Sequence, residues 1–203
     1  MLQEKSQTLF YRKLPLHRKK NTDYRSREYL AMHEVEDLMK AAQSIGRHRN
    51  RDSTLMLLMF YHGLRVSEAV NLKWEQLDFK RNCFHVVRLK GGLEATHPLS
   101  GREMRALRRI QKKYPENRYV FCNENKVPLS VSSAQKIVER AGRLAKVPFS
   151  IHPHMLRHSA GFYLANKGTS TRVIQGYLGH ASISNTVRYT TLSDRAYLGL
   201  FPE

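Results

Sequence analysis

With 203 residues, 41% of them apolar and 26% charged, the chain has the composition of a soluble globular protein and the length for one ordinary domain with a substantial core. Its 35 Lys and Arg against 17 Asp and Glu leave a net charge of +18, and such an excess of base predicts a polyanionic partner, nucleic acid first. No apolar run is long enough to span a bilayer, no signal-peptide pattern opens the chain, and Cys83 and Cys122 follow neither a metal spacing nor a disulfide framework, so the expected setting is the cytoplasm with no membrane role.

Residues 1–30 carry eight Lys or Arg and little periodicity, which reads as a flexible basic arm. Lys13, Arg18, Lys19 and Lys20 are its candidates for DNA backbone contact, with an uncommitted tail as the alternative. Organised structure is expected from Ala31 to the end of the chain. Val35, Leu38, Met39 and Ala42 fall on one helical face, stopped by Gly46. Asp52 or Ser53 then caps a helix over Leu55–Tyr61 that is apolar all round and therefore central. Gly63 ends it, and a helix over Val66–Leu72 follows at once, leaving Arg65 at the break.

From Leu72 to Leu99 the pattern turns to strands (LKWEQLDF, CFHVVRLK, EATHPL), and the turn after the second presents Lys90. Ser100-x-x-Glu103 is a capping box opening a basic helix to Tyr114, with Met104, Leu107, Ile110 and Tyr114 inward. Ser132 or Ser133 opens another helix, whose core face is Ile137, Val138, Ala141 and Leu144. Helices over Pro153–Asn166 and Thr171–Leu178 and a short one begun by Ser182 or Ser184 complete the chain. The expected fold is mainly α with a small three-stranded antiparallel sheet, in one domain over residues 31–203. Arg105 and Arg143, on the two basic helices, are expected to touch DNA backbone.

His154 and Arg157 are at i and i+3, so they share a helix face and can address one ligand. A guanidinium suits two non-bridging phosphate oxygens at once, and a tyrosine hydroxyl can be loaded covalently. Each residue alone has a plainer reading. His154-x-x-Arg157 recurs by chance in so basic a chain, His180 after Gly179 complements a helix terminus, Tyr189 is one of ten tyrosines, and Arg65 with Glu68 makes a surface ion pair. Lys90 is a hairpin lysine whose neighbours Arg88 and Gly91-Gly92 would serve backbone binding equally. His152, His154 and His158 also suggest a metal, but no carboxylate helix motif accompanies them, and no metal is expected.

Order and spacing make a stronger case. Arg65-x-x-Glu68 in HGLRVSEAVNL, Lys90 on a turn 25 residues after Arg65, His154-x-x-Arg157, Leu178-Gly179-His180 and Tyr189 nine residues after His180 resemble the tyrosine recombinase/integrase family over residues 30–195. HPHMLRHS and YLGHASISNTVRYT look most like the fimbrial phase-variation recombinases of enterobacteria. The resemblance implies the tyrosine recombinase catalytic-domain fold and cleavage of double-stranded DNA, with Tyr189 attacking the scissile phosphate to give a 3′-phosphotyrosine. Arg65 and Arg157 would clamp the phosphate, His180 donate to it and Lys90 protonate the leaving 5′ oxygen. His154 would position or deprotonate the tyrosine, and Glu68 would orient its neighbours.

It further implies no metal or other cofactor, a homotetramer on DNA with accessory DNA-bending proteins, and a bacterial, nucleoid-associated enzyme that inverts a DNA segment. Most members carry a separate DNA-clamping domain before the catalytic one, for which the roughly 30 residues here leave no room. The 14 residues after Tyr189 offer Leu198, Leu200 and Phe201 as a small plug for a neighbouring subunit or for home packing. The competing readings are a type IB topoisomerase-like relaxase, and a non-catalytic DNA-binding regulator on a recombinase scaffold.

Overall fold

The computed structural model describes residues 27–88 and 92–191. Lys13, Arg18, Lys19 and Lys20 of the arm, Lys90 at the hairpin tip, and Leu198, Leu200 and Phe201 of the tail therefore lie outside the described residues. Just before the first helix the Leu30 N–H is held by Ser159 Oγ at 2.7 Å and the Leu30 side chain is buried.

The chain runs α1 (Met32–Ser44), α2 (Arg49–Tyr61), α3 (Val66–Val70), β1 (Leu77–Asp78), β2 (Cys83–Val86), β3 (Ala95–Pro98), α4 (Gly101–Lys113), α5 (Val131–Leu144), α6 (Pro153–Asn166), α7 (Thr171–Leu178) and α8 (Ser184–Thr191). It is the expected mainly helical fold with a three-stranded antiparallel sheet, in the order β1-β2-β3. Helix α2 is the centre: Thr54 to Phe60 are all buried, and the helix packs on α1, α4 and α6. Each of its large apolar side chains contributes about 1.5–3 kcal/mol by leaving water.

Helix α2 starts at Arg49, before the expected Asp52 or Ser53 cap, because Asp52 is engaged elsewhere. It is buried and accepts from Arg51 at 2.7 Å and Arg140 at 3.2 Å, while Arg51 also donates to the Cys122 carbonyl at 2.7 Å. Helix α5 likewise opens earlier than expected, at Val131, since Ser130 Oγ takes the Ser133 N–H at 3.0 Å; Leu144, expected inside, is 46% exposed at its end.

The strand read across LKWEQLDF shrinks to two residues. Leu72 O accepts from Val120, Trp74 N–H donates to Arg118, and the Lys73 N–H is taken by the Gln76 side chain, so this stretch has spent its backbone groups and forms a 3-10 turn over Trp74–Gln76. The remaining sheet pairs Phe84 with His97 and Val86 with Ala95 and buries Phe84, Val86 and His97. The Ser100–Glu103 capping box of α4 is present, with Ser100 N–H donating to Glu103 at 2.8 Å.

Candidate active site

Helix ends build the site. The turn after α2 delivers Gly63, the start of α3 delivers Arg65 and Glu68, the start of α6 delivers His154, Arg157 and His158, the end of α7 delivers His180, and α8 brings Tyr189. Arg65 caps α3 through its own side-chain partner: Glu68 accepts the Arg65 N–H at 2.9 Å and the Arg65 guanidinium at 2.7 Å. Arg65 keeps 31% of its side chain exposed, whereas Glu68 is buried.

Arg157 is 1% exposed and donates to two backbone carbonyls, Gly63 O and Leu178 O, the latter at 2.7 Å. Leu178 supplies the last carbonyl of α7, which has no intrahelical donor of its own, and Gly63 lies in the turn just after α2. Burial, then the charges of Arg65 and Arg88, pull its pKa down to about 9. No carboxylate bonds to Arg157 among the described residues, so its charge is left for a ligand.

Arg88, which the sequence offers only as a neighbour of Lys90 equally able to bind DNA backbone, has a fully buried side chain. It donates to Glu68 at 2.8 Å, to Tyr177 O at 2.6 Å, to His62 O at 3.2 Å and more loosely to Gly63 O at 3.4 Å. It thus shares Glu68 with Arg65 and Gly63 with Arg157. Burial opposes ionisation of Glu68, but the Arg65 N–H and the Arg88 and Arg65 guanidinium groups hold its pKa below the usual carboxylate value. Gly179 closes α7 at φ 66°, and a Cβ there would stand 2.7–2.9 Å from Arg88, so this turn needs glycine both for its backbone and for its neighbour. Behind Arg88, His62 meets His97 at 3.1 Å and Glu103 at 2.6 Å, and Tyr177 stacks on His97 with ring centroids 4.0 Å apart.

The His180 ring is fixed by Thr186, Nδ1 to Oγ1 at 2.8 Å, and its carbonyl accepts from Gln175 at 3.1 Å. Tyr189 lies 1% exposed between His180 and α6: the two rings stack at 6.3 Å, and Phe162 meets the phenol edge-on at 5.1 Å. The Tyr189 hydroxyl is 2.9 Å from His158 Nδ1, while His154, on the open side of α6, meets the His158 ring edge-on at 4.4 Å. Burial first, and then neighbouring charges, lower His180 to about 4 and His158 to about 3, so both are neutral at pH 7. Burial raises the Tyr189 phenol.

Arg65, Glu68, His154, Arg157, His180 and Tyr189 therefore meet in one place. Arg105 and Arg143 do not. Arg105 lines a groove of about 250 Å³ with Lys40, Arg102 and Arg109, and Arg143 borders a hollow beside Val147 and Phe149. His152 pairs with Glu28 at 3.4 Å. Sequence reasoning missed His158, Thr186 and Arg88 as parts of the site. His158 could have been found from its i, i+4 relation to His154, and Arg88 from the two-residue alternation that places Phe84, Val86 and Arg88 in phase.

Several cations, neutral histidines and a phenol around one carboxylate make a receptor for an anion that can also react with it. Residues 28–195 match the phage integrase family, and the chain belongs to it, as a tyrosine site-specific recombinase. Among its relatives is the type 1 fimbriae regulatory protein FimB of Escherichia coli K12, 42% identical over 188 residues that cover 90% of this chain and 94% of FimB. The regulatory protein FimE of the same strain is 37% identical, over 86% of this chain and 91% of FimE. The crystal structure of the XerH recombinase bound to its difH substrate before cleavage superposes with a TM-score of 0.70 at 26% identity; the match covers 81% of this chain and 50% of that one. No helix among the described residues is long and apolar enough to cross a membrane.

Proposed function

We propose that this protein cuts and rejoins double-stranded DNA through a 3′-phosphotyrosine on Tyr189 and so inverts a DNA segment. The observation carrying this reading is the meeting of Arg65, His154, Arg157, His180 and Tyr189, drawn from four separated stretches of sequence, beside the Glu68 carboxylate. Arg65 and Arg157 hold the non-bridging phosphate oxygens and stabilise the charge that grows on them during attack. His180 donates to the same phosphate from the edge opposite Thr186, and His154 faces it from the open side of α6. Lys90 protonates the leaving 5′ oxygen. Because Tyr189 is 1% exposed, its cover has to part before a phosphate reaches it.

The kinship with FimB and FimE supports a fimbrial switch as the target, and the DNA-bound XerH complex supports duplex DNA as the partner. The +18 charge supports backbone contacts by Lys13, Arg18, Lys19, Lys20, Arg105 and Arg143. A homotetramer on the DNA, accessory DNA-bending proteins, a single catalytic domain behind a flexible arm, and a place on the bacterial nucleoid in the cytoplasm complete the reading.

The test is a DNA site nicked just beyond the scissile phosphate, incubated with EDTA and run on a denaturing gel. Wild type is expected to yield a covalent protein–DNA band, and Tyr189→Phe to bind the same DNA and yield none. Tight binding without a band in either protein would favour a DNA-binding regulator.

A further inference from the structure

We propose that His158, rather than His154, is the catalytic residue that accepts the proton of Tyr189; this rests on the recombinase reading above. Geometry separates the two histidines. His154 is in the first turn of α6 on its open side, and its ring contacts the His158 ring. His158 is one turn deeper, 8% exposed, with Nδ1 2.9 Å from the Tyr189 hydroxyl. That distance is within the reach a general base needs before any substrate arrives.

In this proposal the bond runs in one direction, from the Tyr189 hydroxyl to the Nε2–H tautomer of His158. Burial keeps the phenol protonated, so it has a proton to donate. Burial, with His154, Arg188, His152 and Arg157 around it, keeps His158 neutral, and in its Nε2–H tautomer the nitrogen facing Tyr189 carries a free lone pair. Helix α6 is also shaped for this one side chain. Gly161, at i+3 from His158 and on the same face, leaves the space in which the phenol lies, since a Cβ there would stand 2.6–2.8 Å from three of its ring atoms. A residue that merely filled the core would need neither the notch nor an aimed nitrogen.

In the step itself the Tyr189 Oη–H proton passes to His158 Nδ1 as the Oη–phosphorus bond forms. The bond from phosphorus to the 5′ oxygen breaks, and that oxygen takes its proton from the acid assigned to Lys90. On religation both protons return. His154 is then free to face the phosphate.

The experiment uses the full chain and a nicked duplex selected because wild type forms the covalent complex on it. The duplex is made in two versions, with the ordinary 5′ oxygen or with sulfur at that bridging position. A thiolate leaves without being protonated, so sulfur rescues defects in the general acid but not defects in activating the tyrosine. His158→Asn keeps an acceptor near the Nδ1 position but takes no proton. It is expected to bind the duplex as wild type does and to form the covalent complex at least about 100-fold more slowly on both versions; Lys90→Ala is slow only on oxygen. A rate within about threefold of wild type, or rescue by sulfur, overturns the proposal.

Should His158→Asn fail to fold, nitrogen-15 histidine NMR of wild type and Tyr189→Phe decides. The His158 Nδ1 resonance is expected to move when the hydroxyl is removed, and an unmoved resonance overturns the assignment. If no duplex is cleaved by wild type while DNA is bound tightly, it is the recombinase reading that fails.

Discussion

Arg88 joins the two halves of the site, because Glu68 and Gly63, its partners, are also the partners of Arg65 and Arg157. Arg88→Ala would take one cation from the buried Glu68 carboxylate and the Arg88 donors from the His62 and Tyr177 carbonyls, a loss of about 3–5 kcal/mol for a broken buried pair. Arg88→Lys is expected to recover little of it, since one ammonium cannot span a carboxylate and the ends of two helices. Urea unfolding of the two variants measures both losses. The position also marks the limit of reading a sequence by charge. A basic residue beside a glycine-rich turn is solvated in most proteins, and only the alternation with Phe84 and Val86 points inward. The candidate site residues were legible because they are carried by fixed spacings. Thr186 was not, because a buried threonine that holds a histidine leaves no pattern in the chain.

Helix α6 shows what one element must satisfy at once. It packs on α2, with Tyr163 edge-on to Phe60 at 5.9 Å, places Arg157 under two carbonyls, and seats Tyr189 against His158, Gly161 and Phe162. Gly161→Ala is expected to push the phenol and α8 off this seat at about 1–3 kcal/mol, the usual cost of overpacking. Hydrogen exchange should then quicken in the amides of Ser184–Thr191 while those of α2 stay protected. The same crowding explains how well helices could be read from the sequence and where they could not. The cores of α1, α4 and α7 follow their apolar periodicity and their caps or stops. The start of α2 and the stretch Leu72–Asp78 do not, because Asp52 answers to Arg51 and Arg140, and the Leu72–Trp74 backbone answers to Arg118 and Val120. Arg140, Arg118 and Val120 are distant in sequence, beyond the reach of a local pattern.

For the molecule as a whole, the buried histidines govern the response to acid. His97 and His158 are lowered to about 3 and His180 to about 4, against about 6.5 in an unfolded chain. Below that value the unfolded chain takes up protons that the folded one refuses, so stability is complete near pH 7 and falls as the pH drops towards 4. Each histidine contributes a slope of up to about 1.4 kcal/mol per pH unit. Glu68 and Glu103 are also lowered, and their contribution is lost further down, below about pH 4.5. Urea midpoints at pH 7 and pH 5 are expected to differ clearly, and substituting His97 by an apolar residue should flatten the slope by about one proton. The site thus makes the fold acid-sensitive through groups kept neutral among fixed cations.

Those cations are not all held in the same way. Arg157 is anchored by the carbonyls of Gly63 and Leu178, which are dipoles at the ends of two helices. Dissolved ions compete with surface ion pairs and shorten the reach of exposed charge, but they do not displace a buried carbonyl. Brine that loosens the grip of the basic surface on a polyanion therefore leaves this guanidinium at its post. How often DNA arrives and how well it is handled once inside are set by different parts of one molecule.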